Sequence, residues 1–194
     1  VQNVCTPLGL TMKVLIAGLG SIGRRHLRNL RKVGIQDVIA YRVRGNDIPE
    51  MDEHPLPVYG SLATALAQKP DIVFVTNPTS LHLEVALAAA RQGCHLFIEK
   101  PLSHTLRGVD ELIDIVTTSG SVAMVGCNFR FHPALQQIQR LLVAGSLGRV
   151  ITARGHAGEF LPGWHPDEDW RLGYSARKEL GGGVILKLIH ELDY

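Results

Sequence analysis

The sequence predicts an α/β protein with a doubly wound parallel sheet, followed by the beginning of a second α/β domain. From residue 12 to about residue 127, short apolar runs alternate with segments of helical periodicity, and a glycine-rich turn joins the first such pair. This alternation is typical of a parallel sheet covered by helices. After Asn128 the alternation stops, and a long stretch rich in Gly, Pro and Trp follows. We therefore expect an extension at 1–11, a first domain at 12–127 and the incomplete start of a second domain at 128–194.

Composition and charge limit the classes of protein to which the chain could belong. The chain has 194 residues, of which 45% are hydrophobic and 20% charged, as in an ordinary globular protein. The formal net charge of +2 is too small to indicate a nucleic-acid or membrane partner. No apolar run approaches the roughly 18 to 20 residues of a membrane span, and 1–11 lacks the features of a signal peptide. Cys5, Cys94 and Cys127 show neither metal-ligand spacing nor a disulfide pattern. We therefore expect reduced thiols, no metal and a cytoplasmic location, with Met12 as a natural start after a loosely ordered extension.

The first strand, turn and helix form the segment around which the chain is organised. An apolar run at Val14–Ala17 predicts one buried strand, and residues 18–23 (GLGSIG) fit the pattern G-x-G-x-x-G before a helix. In that context Gly18 permits the tight turn, Gly20 lets the backbone approach a pyrophosphate, and Gly23 lets the helix pack closely on the strand. Free N–H groups at the helix N-terminus would face the phosphates. The alternative is a glycine turn that only shapes the backbone. The motif predicts a dinucleotide site with these cofactor contacts: Gly18, Gly20, Ser21, Ile22 and Gly23.

The helix after this turn carries many basic residues. Its predicted apolar stripe consists of Ile22, Leu27, Leu30 and Val33, and the basic residues between them are Arg24, Arg25, His26, Arg28, Arg31 and Lys32. We interpret the basic residues as a solvated face, with Arg24 and Arg25 near enough to the helix start to meet cofactor phosphates. DNA binding by this helix is disfavoured by the low net charge and by its place in the glycine motif.

The end of the second predicted strand, 36–41, bears on the choice of cofactor. In NAD-binding folds an acid roughly 20 residues after the glycine turn holds the ribose hydroxyls. Here the position holds Tyr41 and Arg42, with Arg44 close behind, and no acid is present. A guanidinium offers a planar fork of donors to a 2′-phosphate, so Arg42 favours NADP over NAD. An exposed loop arginine is the alternative interpretation.

Further elements complete the predicted sheet. Strands are expected at 58–60, 71–76, 95–98 and 122–125, and helices at 62–68, 81–92 and 106–119. Ser61 and Ser80 are the expected N-caps of the first two of these helices, and Gly93 is the expected left-handed residue that ends the second. The expected buried side of the third helix consists of Val109, Leu112, Ile113 and Val116.

Polar residues collect where the predicted strands end. Because ligands of doubly wound sheets bind at the carboxyl ends of the strands, we expect one cleft there. The segments expected to line it are 18–23, 41–42, 76–78, 99–101 and 127–130.

The last part of the chain has a different character. We expect a helix at 132–144, a strand at 150–154, a loop at 155–174 and, after three glycines, a helix at 184–194. The loop is long for an unstructured connection, which indicates a functional segment. A single strand without a partner cannot form a domain, so the second domain is expected to be incomplete.

Four motifs, in this order, resemble the Gfo/Idh/MocA oxidoreductases, in particular members that act on sugars and nucleotide sugars. The motifs are MKVLIAGLGSIGRRH from Met12, TNPTSLHLEVALAAARQGCHLFIEKPLS from Thr76, NFRFHP from Asn128 and GGGVILKLIHELDY from Gly181. The resemblance implies an N-terminal Rossmann domain and a C-terminal α/β domain with a large open sheet, most of which we expect to be missing here. It also implies a homo-oligomer formed through that sheet, so aggregation or non-native pairing is expected of this chain alone.

The resemblance implies catalytic roles for Lys100 and His190. Lys100, in Glu-Lys-Pro, would point at nicotinamide and substrate through a peptide bond that is often cis in relatives. Its charge would lower the pKa of an alcohol being oxidised, and His190 would act as the general base. The alternatives are a surface lysine before a proline and a partly buried helix histidine.

Two positions depart from the family pattern. Lys187 stands where relatives carry an aspartate that helps to bind substrate, and Ile189 stands where a small residue is common. A lysine reverses the local charge, so Lys187 would lower the proton affinity of His190 and repel Lys100 if these groups are close.

The resemblance implies further contacts around the cleft. Thr76, Asn77, Pro78, His82 and Glu99 are expected beside the cofactor, with Glu99 near the nicotinamide ribose. The expected substrate-side residues are Lys100, Asn128, Arg130, Trp164, His165, Trp170, Arg171 and Lys187. The aromatic and basic residues of the loop suit a sugar, although they could simply hold the loop in place.

Two functions of different classes are compatible with these residues. The first is an NAD(P)-dependent oxidoreductase that transfers a hydride between a nicotinamide cofactor and a sugar, nucleotide sugar or polyol. The second is a catalytically inactive nucleotide-binding module or truncated remnant. Lys187 and the missing sheet favour the second, whereas Lys100, His190 and the glycines favour the first. In either case we expect no nucleic-acid and no membrane partner.

Overall fold

One parallel sheet dominates the computed structural model, which describes residues 12–43, 56–164 and 169–193. Its strands are β1 (Val14–Ala17), β2 (Val38–Tyr41), β3 (Val58–Tyr59), β4 (Ile72–Val75), β5 (His95–Ile98) and β6 (Ala123–Val125). The helices are α1 (Ser21–Lys32), α2 (Leu62–Leu66), α3 (His82–Ala90), α4 (Val109–Ser119), α5 (Pro133–Val143), α6 (Val184–Lys187) and α7 (His190–Asp193). The predicted α/β fold class is confirmed.

The strand order places a crevice at the centre of the sheet. The six strands lie in the order β3-β2-β1-β4-β5-β6, so the chain moves outward in opposite directions from β1. Ala17 is level with Tyr41 on one side and with Val75 on the other, and Ile98 and Val125 continue the same level across β5 and β6. The carboxyl ends therefore form one edge, with the switch point between β1 and β4, where doubly wound sheets bind ligands. The predicted convergence of the strand ends is confirmed.

Helices cover both faces of the sheet because its strands are apolar on both sides. Val14 and Ile16 pack with Leu27 and Leu30 of α1 on one face. Leu15 and the alternating residues of β4 and β5 pack with α2, α3 and α4 on the other face. Strands buried on both faces are typical of parallel sheets and explain the continuous apolar runs in the sequence.

The part of the chain after β6 contains helices and turns and no described strand. The predicted strand at 150–154 is wrong, since 150–160 has no regular structure and Ile151 is 91% exposed. A lone segment there has no partner strand to satisfy its backbone groups. The predicted helix at 184–194 is interrupted at Leu188, where the backbone leaves helical geometry (φ −102°, ψ 32°), and it forms the short helices α6 and α7 instead.

Several details of the predicted helices are also corrected. Ser61 is the N-cap residue of α2, as predicted, but its side chain makes no capping hydrogen bond. Ser80 lies inside a 3₁₀ turn at Thr79–Leu81 rather than capping α3. Val33 is 69% exposed because α1 ends at Lys32, and Ile113 is 55% exposed while Ile115 packs against the core in its place. Gly93 has the expected left-handed conformation (φ +78°).

Some predictions lie outside the described residues. These concern the extension at 1–11 with Cys5, and also Arg44 and His165. Within the described ranges, no helix is both long enough and apolar enough to cross a lipid bilayer.

Candidate active site

The glycine turn is held against β4 by close backbone packing. Gly18 has φ +115°, which side-chain-bearing residues rarely adopt, and a Cβ at Gly23 would lie 1.9 Å from the carbonyl oxygen of Gly18. The hydroxyl of Thr76 donates to the Gly18 carbonyl at 2.7 Å and lies 3.2 Å from the Ala17 carbonyl. Gly18 and Gly23 thus let α1 start directly above β1, and Thr76 ties the turn to the end of β4.

The N-terminus of α1 is open towards the cleft. A Cβ at Gly20 would meet no atom within 4 Å, and no side chain caps the helix or places an acid in its first turn. The first N–H groups of a helix have no acceptor within the helix, so here they are available to an anion. The Oδ1 atom of Asn77, on the adjacent loop, is buried and has no hydrogen-bond partner among the described residues. The free N–H groups fit the pyrophosphate of a dinucleotide, whereas the Asn77 oxygen is an acceptor and fits a hydroxyl group such as that of a ribose.

The end of β2 lies beside this turn. Gly18 donates its N–H to the Tyr41 carbonyl at 3.0 Å, and Arg42 donates its N–H to the Tyr59 carbonyl at 3.0 Å. These two bonds fix the backbone of Arg42 one strand away from the glycine turn. That is the position expected for a residue that recognises the adenosine ribose.

His26 and Glu99 form a contact that the sequence interpretation missed. Nε2 of His26 lies 2.7 Å from Oε1 of Glu99, and both side chains are about 15% exposed (16% and 15%). The His26 ring also contacts Phe74 and Phe97, with centroid distances of 5.3 and 5.0 Å. His26 was assigned to a solvated face, and this is wrong. Its spacing of four residues from both Ile22 and Leu30 was the available signal that it lies on the buried stripe.

His82 links the loops that follow β4 and β5. Its ring is 2% exposed, Nδ1 lies 2.9 Å from the Pro101 carbonyl oxygen, and Nε2 lies 2.9 Å from the Asn77 carbonyl oxygen. Burial lowers the pKa of His82, while the two backbone contacts act in the opposite direction. His82 was expected beside the cofactor, and the structure shows it holding the loops after β4 and β5 together.

Lys100 reaches from β5 to the last part of the chain. The Lys100–Pro101 peptide bond is cis, and the Lys100 ammonium donates to the backbone carbonyl of Lys187 at 2.7 Å. Burial and the nearby charge of Lys187 both lower the pKa of Lys100, and the weaker influence of Glu99 opposes them. Lys187 therefore lies close enough to Lys100 for the repulsion considered above.

His190, at the start of α7, lies near Lys100. Its ring stacks on Phe129 with a centroid distance of 4.4 Å, and its Nδ1 atom is buried without a hydrogen-bond partner in the described part of the chain. Burial first, and then the charge of Lys100, lowers the pKa of His190. The effect on His190 thus comes from Lys100 rather than from Lys187, and it favours the neutral imidazole that a general base requires.

Arg130 and α7 are joined by a bidentate ion pair. Nε of Arg130 lies 3.0 and 3.1 Å from the two carboxylate oxygens of Asp193, and Nη2 lies 2.7 Å from Oδ1. Arg130 was expected to line the cleft on the substrate side. In the structure its guanidinium positions the helix that carries His190, and neighbouring Asn128 begins an exposed 3₁₀ turn.

Lys187 lies among aromatic side chains of the long loop. Its ammonium donates to the Tyr174 hydroxyl at 2.6 Å, 4.3 Å from the centre of that ring, and lies 5.0 Å from the Trp164 ring. Tyr174 was missed from sequence, because nothing local pairs it with a lysine 13 residues away. Trp170 and Arg171 stack on each other at 5.0 Å, and Arg171 pairs with Asp169.

Comparison with known proteins shows the family to which the chain belongs. A model of the oxidoreductase family with an NAD-binding Rossmann fold (GFO_IDH_MocA) matches residues 12–127, more than half of the chain. The chain belongs to this family.

Relatives in the Gfo/Idh/MocA family include enzymes of sugars and polyols. The chain is 30% identical over 190 residues to the myo-inositol 2-dehydrogenase of Thermotoga maritima, covering 94% of this chain and 53% of that protein. It is 36% identical over 135 residues to the D-glucoside 3-dehydrogenase of Escherichia coli, covering 68% of this chain and 36% of that protein. A solved NAD-binding protein from Listeria innocua superposes with a TM-score of 0.71 at 25% identity, covering 95% of this chain and 53% of that one. The chain thus spans about a third to about a half of the curated relatives that it matches.

Proposed function

We propose that this protein is an NAD(P)-dependent oxidoreductase that transfers a hydride between a nicotinamide cofactor and a hydroxyl group of a sugar, nucleotide sugar or polyol. The observation that carries the proposal is the meeting of Lys100 and His190 at the same sheet edge as the glycine turn. A dinucleotide bound there would supply the hydride acceptor or donor. Family membership and the dehydrogenase activities named for the relatives support the reaction class.

The residues of the chain then have separate tasks. The glycine turn and the N-terminus of α1 would hold the cofactor phosphates, with Gly20 leaving the space. The Lys100 ammonium would lie against the reacting hydroxyl and stabilise its alkoxide character. His190, kept neutral by burial and by Lys100, would accept the hydroxyl proton.

His26 and His82 act through other residues. His26 holds Glu99 at 2.7 Å and so fixes the residue before Lys100, while His82 holds the carbonyl of Pro101 after it. Both are positioning residues for the Lys100 loop in this proposal.

The choice between NAD and NADP depends on Arg42. Its backbone is fixed beside the glycine turn, at the position where an NAD-binding protein would carry an acid, so we propose a preference for NADP. A guanidinium would pair with the 2′-phosphate, which NAD lacks.

The cellular location and the oligomeric state of the protein are also proposals. We propose a cytoplasmic protein because Cys94 and Cys127 are free thiols, as is usual in a reducing compartment. We also keep the division at residue 127 and the homo-oligomeric state of the whole protein as predictions.

The first experiment is a titration of the chain with NADPH and NADH, followed by nicotinamide fluorescence. Wild type is expected to bind NADPH at least about tenfold more tightly, and Arg42→Gln should remove that preference. Arg107→Gln, at an exposed arginine in the segment between β5 and α4, is the matched control and should bind like wild type. Absence of binding of either cofactor would contradict the proposal.

A sugar and polyol screen with the bound cofactor tests catalysis. Oxidation of any member that is lost in Lys100→Met and His190→Asn supports the proposed roles. Tight cofactor binding with no turnover would instead support a nucleotide-binding module without catalysis, which is the alternative that Lys187 favours.

A further inference from the structure

The Lys187 side chain has surroundings that suit a ligand rather than an ion pair. Its ammonium lies 4.3 Å from the centre of the Tyr174 ring and 5.0 Å from that of Trp164, and it makes one hydrogen bond, to the Tyr174 hydroxyl. Within 12–43, 56–164 and 169–193 it has no carboxylate partner at ion-pair distance. An ammonium has three donors, so Lys187 can offer further hydrogen bonds to an acceptor.

The Trp164 indole provides a second and independent observation. Its Nε1 atom is buried and has no hydrogen-bond acceptor among the described residues. A buried indole N–H normally has a partner, because leaving the donor unpaired costs free energy. The same ring lies 5.0 Å from the Lys187 ammonium, so an acceptor bound at Lys187 would lie beside the ring that carries this unpaired donor.

The repulsion between Lys187 and Lys100 also favours a bound anion. Lys100 and Lys187 are close enough for the charge of Lys187 to lower the pKa of Lys100, second only to burial. Of the acids near them, Glu99 is engaged with His26 and Glu159 is exposed. The two ammonium groups repel one another, and an anion bound at Lys187 would relieve this repulsion.

We propose that Lys187, Trp164 and Tyr174 form a subsite for the carboxylate of the substrate, which is therefore a sugar acid. The carboxylate would accept hydrogen bonds from the Lys187 ammonium, and the aromatic rings of Trp164 and Tyr174 would contact the C–H groups of the sugar ring. The inference rests on the proposed function, because the subsite adjoins Lys100, the residue proposed to bind the reacting hydroxyl. It assigns Lys187 to substrate specificity.

A single carboxylate fits these donors better than a phosphate does. Lys187 is one point charge with freely rotating donors, and Lys100 is reserved for the hydroxyl that reacts. Phosphate sites in proteins are usually built from several donors, such as backbone N–H groups or an arginine fork. The described residues place no arginine in contact with Lys187.

The test compares three ligands that differ only at C6: D-glucuronate, D-glucose and D-glucose 6-phosphate. Calorimetric titration of the chain, without cofactor and with saturating NADH, is expected to show glucuronate binding at least about tenfold more tightly than glucose. In Lys187→Met this ratio should fall to about one, whereas Lys187→Arg should retain part of it. Lys178→Met removes the same charge from an exposed position in the same segment and should leave the ratio unchanged.

The outcomes separate this inference from the proposed function. Equal binding of glucuronate and glucose, tighter binding of glucose 6-phosphate than of glucuronate, or an unchanged ratio in Lys187→Met would each overturn the carboxylate subsite. Failure of NADH and NADPH to bind would count against the oxidoreductase instead. The titrations without cofactor still test the subsite in that case. Circular dichroism of Lys187→Met shows whether the variant has kept its fold, and Lys187→Arg tests the charge if it has not.

Discussion

Gly20 and Gly23 lie three residues apart in the same turn, yet the structure predicts opposite consequences for alanine at the two positions. At Gly23 the added Cβ would lie 1.9 Å from the Gly18 carbonyl oxygen, and at Gly20 it would meet nothing within 4 Å. Gly20 also has φ −70° and ψ −171°, extended backbone that alanine adopts freely. Gly23→Ala should therefore affect folding, and Gly20→Ala should affect only what binds above the turn.

The expected loss of stability in Gly23→Ala follows from the steric clash of the added Cβ. Ordinary contacts begin near 3.4 Å, so α1 and the turn must separate by about 1.5 Å. The carbonyl that must move is held by the Thr76 hydroxyl at 2.7 Å, so it cannot yield freely. Overpacking of a tight interior costs about 1–3 kcal/mol, and we expect the upper end, about 3 kcal/mol. With a urea slope of about 2 kcal/mol per M, the midpoint of unfolding should fall by about 1.5 M.

Gly20→Ala is the matched control for folding and the test for binding. Its urea midpoint should equal that of wild type or rise slightly, since alanine at a compatible site stabilises by about 0.4–1 kcal/mol. Its affinity for NADH should fall at least about tenfold, because the methyl group occupies the space proposed for the pyrophosphate. A Gly23→Ala midpoint within about 0.3 M of wild type would refute the packing argument, and unchanged NADH affinity in Gly20→Ala would refute the phosphate site.

The remaining predictions concern two histidines. His82→Ala should lower the free energy of unfolding by about 3 kcal/mol, because it opens a cavity and removes the ring between the Asn77 and Pro101 carbonyl oxygens, to one of which the neutral imidazole can donate. His104→Ala, at an exposed position, should change it by less than about 0.5 kcal/mol, and similar urea midpoints for the two variants would contradict this role. Lys100→Met should raise the pKa of His190 in an NMR titration, because it removes the positive charge that, after burial, lowers this pKa. Lys32→Met, an exposed lysine on α1, should leave the pKa unchanged, and a His190 pKa that falls or stays constant in Lys100→Met would show that the two groups are not coupled.

The sequence alone determined the fold class and the edge of the sheet where the site lies. Hydrophobic periodicity marks strands and helices locally, and Gly18 and Gly23 mark a turn that few other sequences can form. Since parallel strands bring their carboxyl ends to one edge, the segments that meet there followed from strand order along the chain.

Predictions from local sequence patterns were wrong where the structure depends on contacts with residues far away in the chain. The segment at 150–154 has the composition of a strand, but a strand forms only where another strand pairs with it, and none does in the part of the chain described here. His26 was assigned to the solvent because its neighbours are arginines, although Glu99, 73 residues away, and two phenylalanines enclose it.

Only the tertiary structure decided the chemistry around Lys100. The contact of its ammonium with the Lys187 carbonyl joins residues 87 positions apart, and no periodicity or motif encodes that distance. The same holds for Lys187 between Tyr174 and Trp164, and for the buried, unpartnered nitrogens of Trp164 and His190. Burial and electrostatic coupling depend on which groups share a small volume, so pKa shifts and donor sites arise only when the chain has folded.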